Sequence, residues 1–322
     1  MKAGSGLRRC SVAGGPATPA SGTVRCRHRT APAVVLPPKA DSIRGWGIGG
    51  TAGFMVRERI GVRLDVWHTS FAARIDDLSS RNRTMNLFER LHMLHRAWRY
   101  RLRSEKQEIS FLLSRDLCGA TVIDIGANRG IYSYWMHKKV GPRGRVFAFE
   151  PQPELNKHLN DLKSTFRLDR LTIVEAGLSS SSGERRLIRP RQHWGGASLD
   201  LEPNPDADCL RIATTTLDEY FSDSPARPLR FIKCDVEGHE YDVFLGGRRV
   251  LREDHPELLF ECHDGEARNG ELFSYLNDLG YDGFFFVHNK LTPISQYNRL
   301  REGIPKPYLN YVFLPTGEAS PT

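Results

Sequence analysis

No Cys-x-x-Cys pair occurs in this 322-residue chain; its six cysteines stand apart at positions 10, 26, 118, 209, 234 and 262. That spacing supports neither a zinc site nor a disulfide framework, so reduced thiols are expected, with Cys234 and Cys262 packing as small hydrophobes inside strands. No apolar run is long enough to span a bilayer and no secretory signal core is present, which leaves a soluble, cytoplasmic protein as the expectation. Acids are missing from the first 40 residues, where Lys2, Arg8, Arg9, Arg25, Arg27, Arg29 and Lys39 carry seven of the eight net positive charges. A Gly-, Ala-, Pro- and Arg-rich segment without apolar periodicity cannot offset its ordering entropy by burial, so residues 1–45 read as a disordered basic leader. An organellar transit peptide or an over-extended start would have the same composition.

Also absent is a P-loop. The only G-x-G-x-x-G, Gly45-Trp46-Gly47-Ile48-Gly49-Gly50, follows no strand and opens no helix, so it reads as a linker. What the chain does have is one strand, glycine loop and helix. Val122-Ile123-Asp124-Ile125 runs into Gly126-Ala127-Asn128-Arg129-Gly130, and Ile131, Trp135 and Met136 follow at helical spacing. The next apolar run, Val146 to Phe149, ends in Glu150. An acid at the tip of the second strand of a βαβ unit can accept hydrogen bonds from both hydroxyls of a ribose. The loop itself lacks the third glycine of a dinucleotide site and begins at Asp124, whose charge opposes a pyrophosphate but suits the cationic methionyl end of S-adenosyl-L-methionine. That cofactor is therefore expected, with Asp124, Gly126, Asn128 and Gly130 around its methionyl portion and Glu150 on its ribose. A plain βα turn with two glycines is the bland alternative; it leaves Glu150 unexplained.

Downstream, Pro153–Phe166 reads as a helix, and strands follow at 171–176, 229–235, 256–263, 283–288 and 310–314. Between 183 and 201 lies a polar excursion through His193-Trp194, with a hairpin as one reading. The last two strands have no helix between them and must pair antiparallel. The result is an α/β fold with a seven-stranded, mostly parallel sheet ending in an antiparallel pair, over residues 107–316. Residues 46–106 form a linker and a basic amphipathic helix with an apolar stripe of Leu87, Phe88, Leu91, Leu94, Trp98 and Leu102; residues 317–322 are a tail. Packing on the domain, with a solvated Arg-rich face, is the first reading of that helix; contact with a membrane surface or nucleic acid is the other.

The motifs Asp124-Ile125-Gly126-Ala127-Asn128-x-Gly130-x-Tyr132, Phe149-Glu150-Pro151, Thr216-Leu217-Asp218, Ile232-Lys233-Cys234-Asp235-Val236-Glu237-Gly238-His239-Glu240 and Leu259-Phe260-Glu261-Cys262-His263 together resemble the FkbM family of S-adenosylmethionine-dependent methyltransferases. The resemblance implies a class I, Rossmann-like methyltransferase fold and methyl transfer to a hydroxyl of a sugar, glycan or natural product. It adds Ala127, Tyr132 and Asp235 to the cofactor set. Cys234 stands where the family usually has a branched aliphatic. In such a fold the strands ending at Asp235 and His263 are neighbours, so Asp235, Glu237, His239, Glu261 and His263 converge beside the cofactor as candidate catalytic residues. A hydroxyl must lose its proton as it attacks the sulfonium methyl, and His239 and His263 are the first candidate bases. Glu237 or Glu240 could instead serve the first turn of the following helix. No octahedral set of donors is discernible, so no metal is expected. A nucleic-acid methyltransferase lacks support, since neither an Asn/Asp-Pro-Pro-Tyr element nor a Pro-Cys nucleophile is present. A catalytically silent cofactor-binding protein is the remaining alternative.

Overall fold

The computed structural model describes residues 84–191, 194–202, 206–263, 270–287, 290–300 and 308–317. The basic leader, the Gly45–Gly50 run, most of the linker, His193 and residues 318–322 lie outside them. The packed body begins earlier than residue 107. Helix α1 (Leu87–Arg99) opens with a capping box in which Asn86 and Glu89 exchange side-chain and backbone hydrogen bonds. It continues through a π-helical turn at Tyr100–Ser104 into α2 (Lys106–Ser114). Met93 and Ala97 are buried in the core, and Trp135 Nε1 donates to the Ala97 carbonyl at 3.2 Å. Of the apolar stripe named above, Leu94 is half-buried against the core, while Leu87, Phe88, Leu91, Trp98 and Leu102 are exposed.

The main sheet is built on β1 (Thr121–Ile125), β2 (Arg145–Phe149), β3 (Leu171–Val174), β7 (Leu229–Cys234) and β8 (Glu257–His263), all parallel. Every residue of β1 is buried, as expected of a central strand covered on both faces. β11 (Tyr308–Pro315) inserts antiparallel between β8 and β9 (Tyr281–Val287). The sheet has eight strands where the sequence predicted seven, because β10 (Lys290–Pro293) folds back on β9. Four residues ending in proline offer too little alternation to be recognised. A separate three-stranded sheet pairs β4 (Gly177–Leu178), β5 (Gly183–Pro190) and β6 (Ala207–Thr215), so the polar excursion is a long antiparallel pair.

Helices α3 (Ile131–Val140) and α4 (Pro153–Phe166) pack with α1 and α2 on one face of the main sheet. The short α5 (Leu217–Tyr220), α6 (Glu240–Leu245), α7 (Arg248–Asp254) and α8 (Glu271–Asp278) cover the other. A last one-turn helix, α9 (Tyr297–Leu300), lies in the connection that was expected to hold no helix. Its Tyr297 packs against Phe285 and Tyr311. The carboxyl ends of β1, β2, β7 and β8 all open on one edge, where the candidate residues collect.

Candidate functional site

Two open clefts, with about 550 and about 480 Å³ of space counting the part open to solvent, meet at Gly126, Asn128 and Asp235. Their meeting point is fixed by glycine chemistry. Gly126 has φ +72°, and a Cβ there would stand 1.9 Å from the Asp235 carbonyl oxygen, so only glycine lets β1 cross this close to the end of β7. Asp235 N–H donates to the Ile125 carbonyl at 3.1 Å and completes the junction. Gly130 has φ +74°, and a Cβ there would meet Leu162 and Leu159 at 2.5 and 2.8 Å, so it sets how closely α4 approaches the loop.

The larger cleft has apolar walls from Phe149, Leu178, Leu187 and Ile212, with Glu150 at its edge. Glu150 is buried and accepts hydrogen bonds from the backbone N–H of Asn128 at 2.9 Å and of Gln152 at 3.0 Å. One carboxylate thereby ties the β1 loop to the β2 loop. Burial pushes its pKa up to about 7 despite those two donors. Ala127 contributes through its backbone, donating to the Phe149 carbonyl at 3.0 Å.

The smaller cleft is polar. Asp124 is buried beneath the loop, accepts from Ser133 Oγ at 2.5 Å, and is pushed up to about 6 by burial. Its register partner on β7 is Lys233, whose side chain is 2% exposed. Lys233 Nζ lies 3.3 Å from Asp235 Oδ2 and 5.2 Å from the centroid of the Tyr132 ring. Burial works against the ammonium, but the Asp235, Glu105 and Glu261 carboxylates outweigh it and hold the lysine charged above its ordinary range. Tyr132 donates its hydroxyl to Glu105, which burial holds above the usual carboxylate range. Arg96, Tyr100 and Arg129 complete the wall. The buried Nε of Arg96 has no hydrogen-bond partner among the described residues, and Arg129 is depressed by burial and by the Arg96 charge.

Around Asp235 the acids crowd. Glu237 sits in the left-handed region at φ 56° and lines the larger cleft; burial, then the Asp235 charge, push it up to about 7. Glu261 is likewise pushed up to about 7, first by burial and then by Asp235. Glu240, by contrast, turns back to accept from the Val236 and Gly238 N–H groups at 2.9 and 3.1 Å, fixing the turn before α6.

The two histidines stand elsewhere. His239 is 2% exposed, with Nδ1 2.7 Å from Asp200 Oδ2 and Nε2 2.9 Å from Ser179 Oγ. Both ring nitrogens are engaged, so it pins the segment around Asp200 to the end of β4 and does not face the polar cleft. His263 ends β8 with an exposed side chain and lines neither cleft. On that geometry neither histidine lines either cleft. Sequence reasoning quoted Lys233 within a motif but assigned it no role, and missed Glu105, Arg96 and Arg129. A lysine inside the buried run Phe231-Ile232-Lys233-Cys234 was the available signal, since unpaired lysines are almost never fully buried.

The sequence model of the methyltransferase FkbM domain matches residues 124–282. The chain is 28% identical to the methyltransferase sdnD of Sordaria araneosa, over 50% of this chain and 73% of that protein. It is 28% identical to the hexuronic acid methyltransferase AglP of Haloferax volcanii, over 52% of this chain and 66% of that one. With the 2-O-methyltransferase NoeI of Sinorhizobium fredii the identity is 23%, over 53% of this chain and 73% of that one. Among solved structures, an FkbM methyltransferase from Methylobacillus flagellatus KT aligns with a TM-score of 0.41 and 15% identity, covering 77% of this chain and 60% of that one.

Proposed function

The chain carries a methyltransferase FkbM domain, and on that premise we propose that it transfers the methyl group of S-adenosylmethionine to a hydroxyl oxygen of a sugar, glycan or other small molecule. The observation that carries this reading is Glu150. A carboxylate at the tip of β2, fixed by two backbone N–H donors beside an apolar cleft, is built to receive a ribose, with the base of the nucleoside against Leu178, Leu187 and Ile212. The adjoining polar cleft suits the amino-acid end. Arg96 and Arg129 supply positive charge for its carboxylate, and Asp124 and Asp235 supply negative charge near its ammonium and sulfonium. When bound, the sulfonium supplies an electrophilic methyl carbon and a neutral thioether leaving group.

The residues of this chain handle the proton. With the methyl donor bound, the acceptor oxygen would take the methyl group, sulfur would keep the electron pair of the broken bond, and a carboxylate of this chain would take the hydroxyl proton. Glu237, which lines the cleft, is the acceptor this geometry favours, with Glu261 near Asp235 but outside both clefts as the alternative; burial and the Asp235 charge raise both to about 7, close to the value at which a carboxylate works as a base at neutral pH. Lys233 pairs with Asp235 and holds it in place. The named activities of two relatives, on a hexuronic acid and at a 2-hydroxyl, favour a sugar as the acceptor class.

The test is transfer of labelled methyl from S-adenosylmethionine to a panel of sugars, uronic acids and polyols. A base must be ionised to act, so turnover should rise through pH 7 and fall below it. Glu237→Gln or Glu261→Gln should lower kcat by about 10²- to 10⁴-fold with S-adenosylhomocysteine affinity retained. Full turnover in both variants would place the proton acceptor outside this cluster.

A further inference from the structure

Five of the seven large exposed hydrophobic side chains among the described residues belong to one helical segment: Leu87, Phe88, Leu91, Trp98 and Leu102, at 71, 79, 57, 47 and 59% exposure. At 100° per residue Leu87, Phe88, Leu91 and Trp98 fall within one arc of about 100° on α1, and Leu102 is exposed on the π-helical turn that follows. Arg90 flanks that arc on one side and His92 and Arg99 on the other, while the Arg101 guanidinium lies over the Trp98 and Trp135 rings at 5.0 and 4.8 Å. The only acid in the segment Leu87–Ser104 is Glu89, which lies on the far side and is committed to the N-cap. Met93 and Ala97 hold the opposite face to the core. Among the described residues, the core contacts therefore leave this helix with its apolar side outward and a cationic border on both edges.

We propose that α1 and the turn after it form a membrane-surface anchor, which lays Phe88, Leu91, Trp98 and Leu102 into the interface of an anionic bilayer with the flanking arginines on the headgroups. Apolar burial and charge attraction act together in such helices, and neither alone gives firm binding. Among the described residues no helix is long and apolar enough to cross a membrane, so the chain would lie on the surface. A second copy fits this face less well. Two such helices brought together would oppose arginine borders, with no carboxylate on either face to answer them.

The experiment is co-sedimentation of the full chain with phosphatidylcholine vesicles, with and without 30% phosphatidylglycerol, at low and high salt. The basic leader also attracts anionic lipid, so the deciding variant removes apolar surface and leaves charge unchanged: Phe88→Ser, Leu91→Ser and Leu102→Ser together, all at exposed positions. The expected result is binding to the anionic vesicles that persists in part at high salt, a blue shift of tryptophan emission that Trp98→Phe abolishes, and at least a tenfold loss of partitioning in the triple variant. Equal partitioning of the triple variant would overturn the proposal, leaving leader charge as the whole cause. So would a wild type that stays in the supernatant, or a triple variant whose only change is oligomeric state or melting temperature, which would mean that protein covers this face. Arg90→Glu with Arg99→Glu, which keeps the stripe, should lose binding selectively for anionic lipid. Methyl transfer to soluble acceptors does not enter these readouts, so the proposal can fail without the functional reading failing.

Discussion

Lys233 shows how a single residue organises the polar cleft. Its ammonium is the buried cation among Asp235, Glu105 and Glu261, with the Tyr132 ring beside it. Removing one partner of such a cluster leaves uncompensated charge in a poorly hydrated place, which costs about 3–5 kcal/mol. Lys233→Met should therefore destabilise the protein by that order in chemical denaturation, and adding Asp235→Asn should recover part of the loss. A Lys233→Met variant as stable as wild type would mean that the acids are hydrated and the lysine incidental. His239 teaches the opposite lesson. Its sequence position, two residues after a central acid in a motif, made it a candidate base. The tertiary structure spends both ring nitrogens on Ser179 and Asp200, partners 60 and 39 residues away, which no local pattern reveals.

At the scale of elements, the βαβ unit was legible because three signals agree: a fully buried strand, two glycines at positive φ, and an acid ending the next strand. Pro153–Phe166 was legible from its amphipathic spacing and its N-terminal proline. β10 was not, since a short polar edge strand depends on β9 to exist. The direction of α1 was misread for a different reason. Periodicity identifies an apolar face but does not say what it meets, and the side that packs is marked by Met93 and Ala97 with Leu94 and Tyr100 half-buried beside them. Gly126 tests the element most sharply. In Gly126→Ala the new Cβ would require either a shift of the Asp235 carbonyl, 1.9 Å away, or a change of the loop's left-handed φ. A strained position of this kind costs about 1–3 kcal/mol before any clash is counted. The variant should melt at least several degrees lower and lose S-adenosylhomocysteine binding, both measurable by thermal shift with and without ligand. An unchanged melting temperature would show that the β1–β7 junction is looser than the structure indicates.

Across the whole molecule, the described residues from Met85 onward form two apolar layers on a common sheet, and α1 belongs to one of them. Its attachment runs through Met93, Ala97 and the half-buried Leu94, with Trp98 edge-on to Trp135 at 5.5 Å. All parallel strand tips open toward one edge, and the two clefts there divide an apolar-walled space from a charged one. The account rests on that division being a cofactor site. Calorimetric titration of S-adenosylhomocysteine into the wild type and Glu150→Ala is the most direct test. Wild type should bind, and loss of a carboxylate that accepts charge-assisted hydrogen bonds, each worth about 1.5–3 kcal/mol, should weaken binding by about 10- to 100-fold. Equal affinity in the two proteins, or no binding by the wild type, would contradict the assignment of this edge as the S-adenosylmethionine site.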